Sequence, residues 1–258
     1  MSGNPVVTPP GAVRVFWGYR HQRLTEDDFR RELGETFMPG TPYMLQPLGL
    51  HAYAAAVFDE DTVRDTPHES GLIAYPSQAA YRTIREANLR GRLYTHTHAA
   101  VYDEYKPDGT RRSSAQWAEP LTDGLDDTAR TVHLLDEPSD LQQGTLAVHL
   151  GVPTDPAQAG ASFRQEVRRA LPSLRDALRQ EGFAQGFVTL HDNYYIAWLH
   201  HLKGVDADPI DDWLSSSTRL AKLETERVLF LEDAPMVTVD RPSAFNFVFL
   251  RSPRAELR

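Results

Sequence analysis

No cysteine occurs among the 258 residues, so the chain can form no disulfide, thiolate nucleophile, zinc ribbon or iron–sulfur cluster. Any metal would need histidine, carboxylate or tyrosine ligands. Long apolar runs are missing as well. No stretch is long enough to cross a bilayer, and the opening MSGNPVVTPPGAV lacks the basic start and apolar core of a signal peptide. The expectation is a cytoplasmic protein with no membrane partner. Lys and Arg total 27 against 36 Asp and Glu, a net charge of −9. No basic run is long enough to follow a phosphate backbone, so nucleic acid is not an expected partner. Also absent are GxGxxG, GxxxxGK(S/T), GxSxG and HExxH. Rossmann redox chemistry, nucleotide hydrolysis, α/β-hydrolase acyl transfer and zincin proteolysis lose support accordingly.

What is present is an alternation of strand-like and helix-like segments. Val13 to Arg20 is β-branched and aromatic, as a strand should be. Thr25 with Asp28 resembles a capping box, and Phe29, Leu33 and Phe37 follow at helical spacing until Pro39-Gly40. Leu50 to Phe58 and Gly71 to Tyr75 read as strands separated by an acidic loop. Ser77 is placed to cap a second helix that Gly91 closes, and Tyr94 to Tyr102 reads as a fourth strand. A second series begins with a strand from Thr145 to Val152 and a helix capped by Ser162 and Gln165 and kinked at Pro172. Phe187 to Leu190 and Tyr194 to Leu199 form a strand pair turning at His191-Asp192-Asn193. Asp208-Pro209 opens a helix carrying Trp213, Leu220 and Leu223, and Val237 to Val239 and Phe245 to Leu250 compete for the last strand. The reading therefore divides the chain into a first half, 1–103, a polar linker or lid, 104–144, and a second half, 145–258. Thr131 to Leu135 forms an edge strand within the linker.

The fold class read from this order is α+β, with two βαββαβ halves in tandem. It resembles the dimeric α+β-barrel superfamily, in which two ferredoxin-like sheets close face to face. That resemblance implies small-molecule chemistry. The superfamily includes cofactor-independent monooxygenases of antibiotic biosynthesis, muconolactone-type isomerases, and haem proteins of the chlorite dismutase-like and aldoxime dehydratase kinds. Fold alone does not choose among them.

Strand alternation locates a candidate site. Leu50, Ala52, Ala54, Ala56 and Phe58 form an apolar face, and His51 and Tyr53 oppose it. His96, His98 and Tyr102 share a face of the expected fourth strand. His149 opposes Leu146, Val148, Leu150 and Val152, and His191 opposes Val188 and Leu190. If the apolar faces meet helices, the imidazoles point between the sheets. His51, Tyr53, His96 and His98 then become candidate catalytic residues for proton transfer near neutral pH. Trp17, Tyr102, His149, His191 and Trp198 become candidate substrate-binding residues for an aromatic or polyketide-like small molecule. The expected chemistry is oxygenation, isomerisation or cyclisation.

Two alternatives stay open. His96 and His98, two apart on a strand, could share a metal with His51 or His149, and His149, His191 and His200 are equal candidates for a haem axial ligand. The cofactor is otherwise unknown. A non-catalytic binding protein is the second alternative, and a homodimer is also open.

Overall fold

The computed structural model describes residues 12–58, 65–105, 107, 109, 112–122, 130–137, 141, 144–216, 218–225 and 229–230. Two sheets pack face to face, with helices covering the outer face of each. The first sheet is built from β1 (Val13–Gly18), β2 (Ala52–Val57), β3 (Glu69–Ala74), β4 (Ser114–Trp117) and β11 (Leu229–Phe230), in the order β11-β2-β3-β1-β4. The second contains β5 (Glu119–Pro120), β6 (Thr131–His133), β7 (Thr145–Pro153), β8 (Phe183–Leu190), β9 (Tyr195–His201) and β10 (Thr218–Thr225), in the order β10-β7-β9-β8-β6-β5. The chain is thus α+β with ferredoxin-like character. The antiparallel order β2-β3-β1-β4 in one sheet has its counterpart in β8-β9-β7-β10 of the other.

Local signals explain several elements. The Thr25 hydroxyl accepts from Asp28 N at 3.1 Å and starts α1 (Glu26–Glu32). Pro39-Gly40 does not end this helical run. A π-helical turn over Leu33–Phe37 leads into α2 (Met38–Leu45), which contains Pro42. Proline removes a donor in the second turn of α2, but Thr41 Oγ1 donates to Phe37 O at 2.9 Å beside it. Ser77 caps α3 (Gln78–Ala87) through Ala80 N at 3.1 Å, as the sequence suggests.

The segment Tyr94 to Tyr102, read from sequence as a strand, lies instead in α4 (Leu89–Val101). Asn88 Oδ1 accepts from Arg90 N and Gly91 N at 2.9 and 3.4 Å and so begins a new helix where α3 stops. Gly91 closes nothing. It lets the two helices touch, because a Cβ there would lie 2.2 Å from Ile84 O. The first half takes its fourth strand from Ser114–Trp117, inside the segment expected to be a linker, and β5 and β6 lie in the same segment.

In the second half, α5 (Ala161–Gln180) begins after Gly160 without a side-chain cap, so Ser162 and Gln165 form no box at its start. α6 (Asp208–Ser215) ends before Leu220 and Leu223, which belong to β10. Val237 to Val239 and Phe245 to Leu250 lie outside the described residues.

The main apolar core sits between the sheets. Val13, Val15 and Trp17 of β1 and Ala52, Ala54 and Ala56 of β2 meet Leu146, Val148, Leu150, Ile196 and Trp198 of the second sheet. Trp198 is fully buried and donates from Nε1 to Ser70 Oγ of β3 at 2.9 Å, and Tyr19 Oη donates to Tyr194 Oη at 3.1 Å, so two polar bonds cross this largely apolar layer. On β8 Val188 and Leu190 face the helices as expected, with His191 against Trp17 on the other side; the alternating faces of β2 and β7 are equally real but point the other way. The apolar faces meet each other, and the mixed faces, with Arg14, Phe16, Tyr53 and Glu69, look towards the helices. No helix among the described residues is long and apolar enough to cross a membrane.

Candidate functional site

Between the first sheet and α1–α4 lies a cavity of about 290 Å³, near the lower end of small-molecule sites. Its sheet side carries Arg14 and Phe16 from β1, Tyr53 from β2, and Glu69 and Ile73 from β3. Its helix side carries Phe37, Thr41, Tyr81, Arg85, Tyr94 and His98, and Tyr102 closes one end. Each sheet residue belongs to the half-polar face of its strand, so period-2 alternation delivers all of them to one side.

Glu69 is the chemical centre. Its side chain is buried, 1% exposed, and its carboxylate accepts from Tyr53 Oη at 3.5 Å and from Tyr102 Oη in a short contact. Burial pushes its pKa from 4.5 up to about 7, although the two phenol hydrogen bonds pull the other way. Burial also raises the pKa of Tyr53, Tyr94 and Tyr102, so all three remain neutral donors. Tyr94 Oη and Thr41 Oγ1 share a short hydrogen bond at the helix side. The close seat of Tyr102 depends on Gly18. A Cβ there would lie 2.6 Å from Tyr102 Cε1.

His98 faces this cavity as a packed ring. Phe37 meets it edge-on at 4.8 Å and Tyr94 at 5.1 Å, and its Nδ1 lies 3.3 Å from Tyr94 O. Burial lowers its pKa to about 4, so the ring is neutral at physiological pH. The opposite end is cationic. The Arg14 guanidinium stacks over Tyr81 at 4.3 Å and lies 5.2 Å from the Trp117 ring, and Nη2 donates to Ala115 O at 3.1 Å. Arg85 Nη1 donates to Tyr81 Oη at 2.8 Å.

Of the sequence-derived candidates, Tyr53, His96, His98 and Tyr102 line this cavity. The others do not join them. His51 precedes β2, and its N–H donates to Ala74 O at 2.8 Å. Trp17 and Trp198 belong to the core between the sheets. His149 lies on the helix side of the second sheet, with Nε2 3.0 Å from Asp211 Oδ1 of α6. His191 stacks on Tyr194 at 4.2 Å and meets Trp17 edge-on at 4.7 Å beside a separate, polar cavity of about 210 Å³.

The shared-metal reading of His96 and His98 rested on a strand. On α4 residues two apart are separated by about 200° around the helix axis, so the pair does not converge. Among the described residues no group of three His, Asp or Glu could hold a metal ion. The haem candidates fit no better: His149 and His200 are each 1% exposed, and the cavity at His191 is below the size of cofactor sites. Glu69, Arg14, Thr41, Arg85 and Tyr94 escaped the sequence reading. The available signal was Arg14 set between Val13 and Val15, and Glu69 one alternation before Gly71.

Among the described residues the second half shows no equivalent site. Its cavity between sheet and helices is only about 100 Å³ and is lined mainly by apolar residues such as Phe163, Leu171 and Trp213. The position facing Gly18 on β3 is Glu69, and the position facing Gly151 on β9 is Tyr195. The Tyr195 ring lies over Gly151, where a Cβ would be 2.2 Å away, and its hydroxyl lies 3.2 Å from Thr218 Oγ1 and 3.3 Å from Leu214 O. A phenol thus fills the place of the acid.

No protein-family model matches the chain, and no curated protein matches it. Among solved structures it is similar to a protein of Fusobacterium nucleatum subsp. nucleatum, provisionally assigned as a monooxygenase, at 10% identity and a TM-score of 0.45. The alignment covers 84% of this chain and 94% of that one. A second, of Lactobacillus acidophilus and provisionally assigned the same way, aligns at 6% identity and a TM-score of 0.42, over 86% and 97% of the two chains. Neither likeness is strong enough to bear on the chemistry.

Proposed function

We propose that the cavity under α1–α4 is the active site of a small-molecule enzyme, with Glu69 as its general acid/base. The observation that carries this reading is a buried carboxyl held by two phenol donors in an aromatic cavity, where burial raises its pKa to about 7. Cofactor-free oxygenation, isomerisation and cyclisation of aromatic or polyketide-like molecules share one first step. A C–H bond beside a carbonyl breaks, its proton passes to the Glu69 carboxylate, and the electron pair remains as an enolate. Tyr53 and Tyr102 hold the carboxylate before transfer, and the dry walls prevent water from levelling its basicity. His98 shapes the wall as a neutral ring.

In the same reading the chain is a tandem of two ferredoxin-like halves closed as a dimeric α+β-barrel-like unit, in which one half keeps the site. The supporting observation is the paired strand order, together with Tyr195 at the position of Glu69.

The test uses 2-tetralone, a bicyclic ketone with acidic C–H bonds, in D2O, with exchange followed by proton NMR. The wild-type chain is expected to exceed the buffer rate, and Glu69→Gln to lower the protein-catalysed rate by at least about 10²-fold. A wild-type rate equal to buffer, or a Gln variant as fast as wild type, sinks the assignment.

A further inference from the structure

Proton transfer at Glu69 leaves the far end of the cavity without a task, and that end holds two guanidinium groups. Among the described residues neither Arg14 nor Arg85 forms an ion pair with a carboxylate. Arg14 Nε is buried without a hydrogen-bond partner. Its guanidinium is held by the faces of Tyr81 and Trp117 and by one backbone carbonyl. A buried cation left in this state is costly, and an anion that enters the cavity offsets that cost. Guanidinium groups suit a carboxylate in particular, because their forked donors match its two oxygens.

The spacing of the two ends adds a length. Arg14 pairs in register with Ile73, four residues along β3 from Glu69. At about 3.3 Å per residue, the two positions are about 13 Å apart along the sheet. Phe16, Phe37 and Tyr75 line the cavity, so aromatic rings make up much of the wall between the Glu69 and Arg14 ends.

We propose that the substrate is itself an anion: a planar, fused-ring acid whose carboxylate pairs with Arg14 and Arg85 while its enolisable carbon reaches Glu69. The placement of the reacting carbon rests on the Glu69 reading, whereas the preference for an anion is independent of it. Arg14 is the main recognition residue, and Arg85 reinforces it through Tyr81.

The experiment compares 2-naphthoate with its neutral isostere 2-naphthamide, by titration calorimetry at pH 6, where the naphthoate is ionised. The wild-type protein is expected to bind the acid roughly tenfold or more tightly than the amide, the worth of a charge-assisted hydrogen bond. Arg14→Gln should erase the preference, and Glu69→Gln should keep it. Arg85→Gln, on the partly exposed side of α3, should reduce it and provides the measurement if Arg14→Gln fails to fold. Equal affinity for acid and amide, binding of neither, or a preference that survives both arginine substitutions overturns the proposal. A protein that prefers the acid yet exchanges no tetralone keeps this inference and loses the proton-transfer reading. The opposite pair of results separates them the other way.

Discussion

Replacing Glu69 by glutamine should remove a pH dependence of stability that the wild-type chain carries between mildly acidic and mildly basic solution. The native pKa of Glu69 is raised from 4.5 to about 7 by burial. In that window the native state therefore holds a proton that the unfolded chain has released. The stabilising contribution is fully present below about pH 4.5 and is lost as pH rises through about 7. Linkage gives a loss of about 2.5 kcal/mol between about pH 5 and about pH 8 from this one carboxyl.

The groups facing Glu69 belong to several elements. Tyr53 and Tyr102 donate to it, Tyr94 and His98 approach from α4, and Arg14, His96 and Glu104 also line the cavity. The tyrosines stay neutral throughout the window. His98, lowered to about 4 by burial, works in the opposite sense: its contribution is present above the usual 6.5 and falls away towards 4. Both proteins share that term, so it cancels in their difference. Urea unfolding of wild type and Glu69→Gln at half-unit pH steps therefore isolates Glu69. The variant should gain on wild type by about 2.5 kcal/mol from about pH 5 to about pH 8, whatever constant offset the new amide introduces. A difference that stays flat across this range would refute the claim that this carboxyl is buried and near neutral.

Two further substitutions probe the two faces of the first sheet. Trp198→Phe removes the bond to Ser70 Oγ and part of a fully buried ring, and should cost about 2–3 kcal/mol in urea unfolding. Tetralone exchange should persist, because Trp198 lies on the side of the sheet away from the cavity; loss of exchange without loss of stability contradicts this placement. Gly18→Ala forces a Cβ against the Tyr102 ring and should cost about 1–3 kcal/mol. Displacing Tyr102 also removes a hydrogen bond that lowers the Glu69 pKa. The rising limb of the exchange rate against pH should therefore move upward, and an unmoved limb tells against the Tyr102 contact.

Much of the local structure was legible. Thr25 and Ser77 announced their helices because a capping hydroxyl satisfies an amide within three residues, which is a purely local matter. The hairpin at His191-Asp192-Asn193 and the period-2 faces of β2 and β7 were legible for the same reason. Tyr94 to Tyr102 was not. Its tyrosines, threonines and histidines favour a strand, yet Asn88 caps a helix there, Gly91 lets it pack on α3, and the Thr95 hydroxyl donates to Gly91 O at 3.0 Å. The true fourth strand, Ser114–Trp117, is short and partly exposed, so its composition resembles the polar segment around it.

The amino-acid sequence by itself determined which side chains share a face of each strand, because alternation is built into an extended backbone. Only the tertiary structure decided which way each face points. Two apolar faces lose more water against one another than against amphipathic helices, so the sheets closed on Trp198 and the valines and alanines around it. That choice left Arg14, Tyr53 and Glu69 under α1–α4. It also turned a histidine-lined space expected between the sheets into a carboxyl-centred cavity beside one of them.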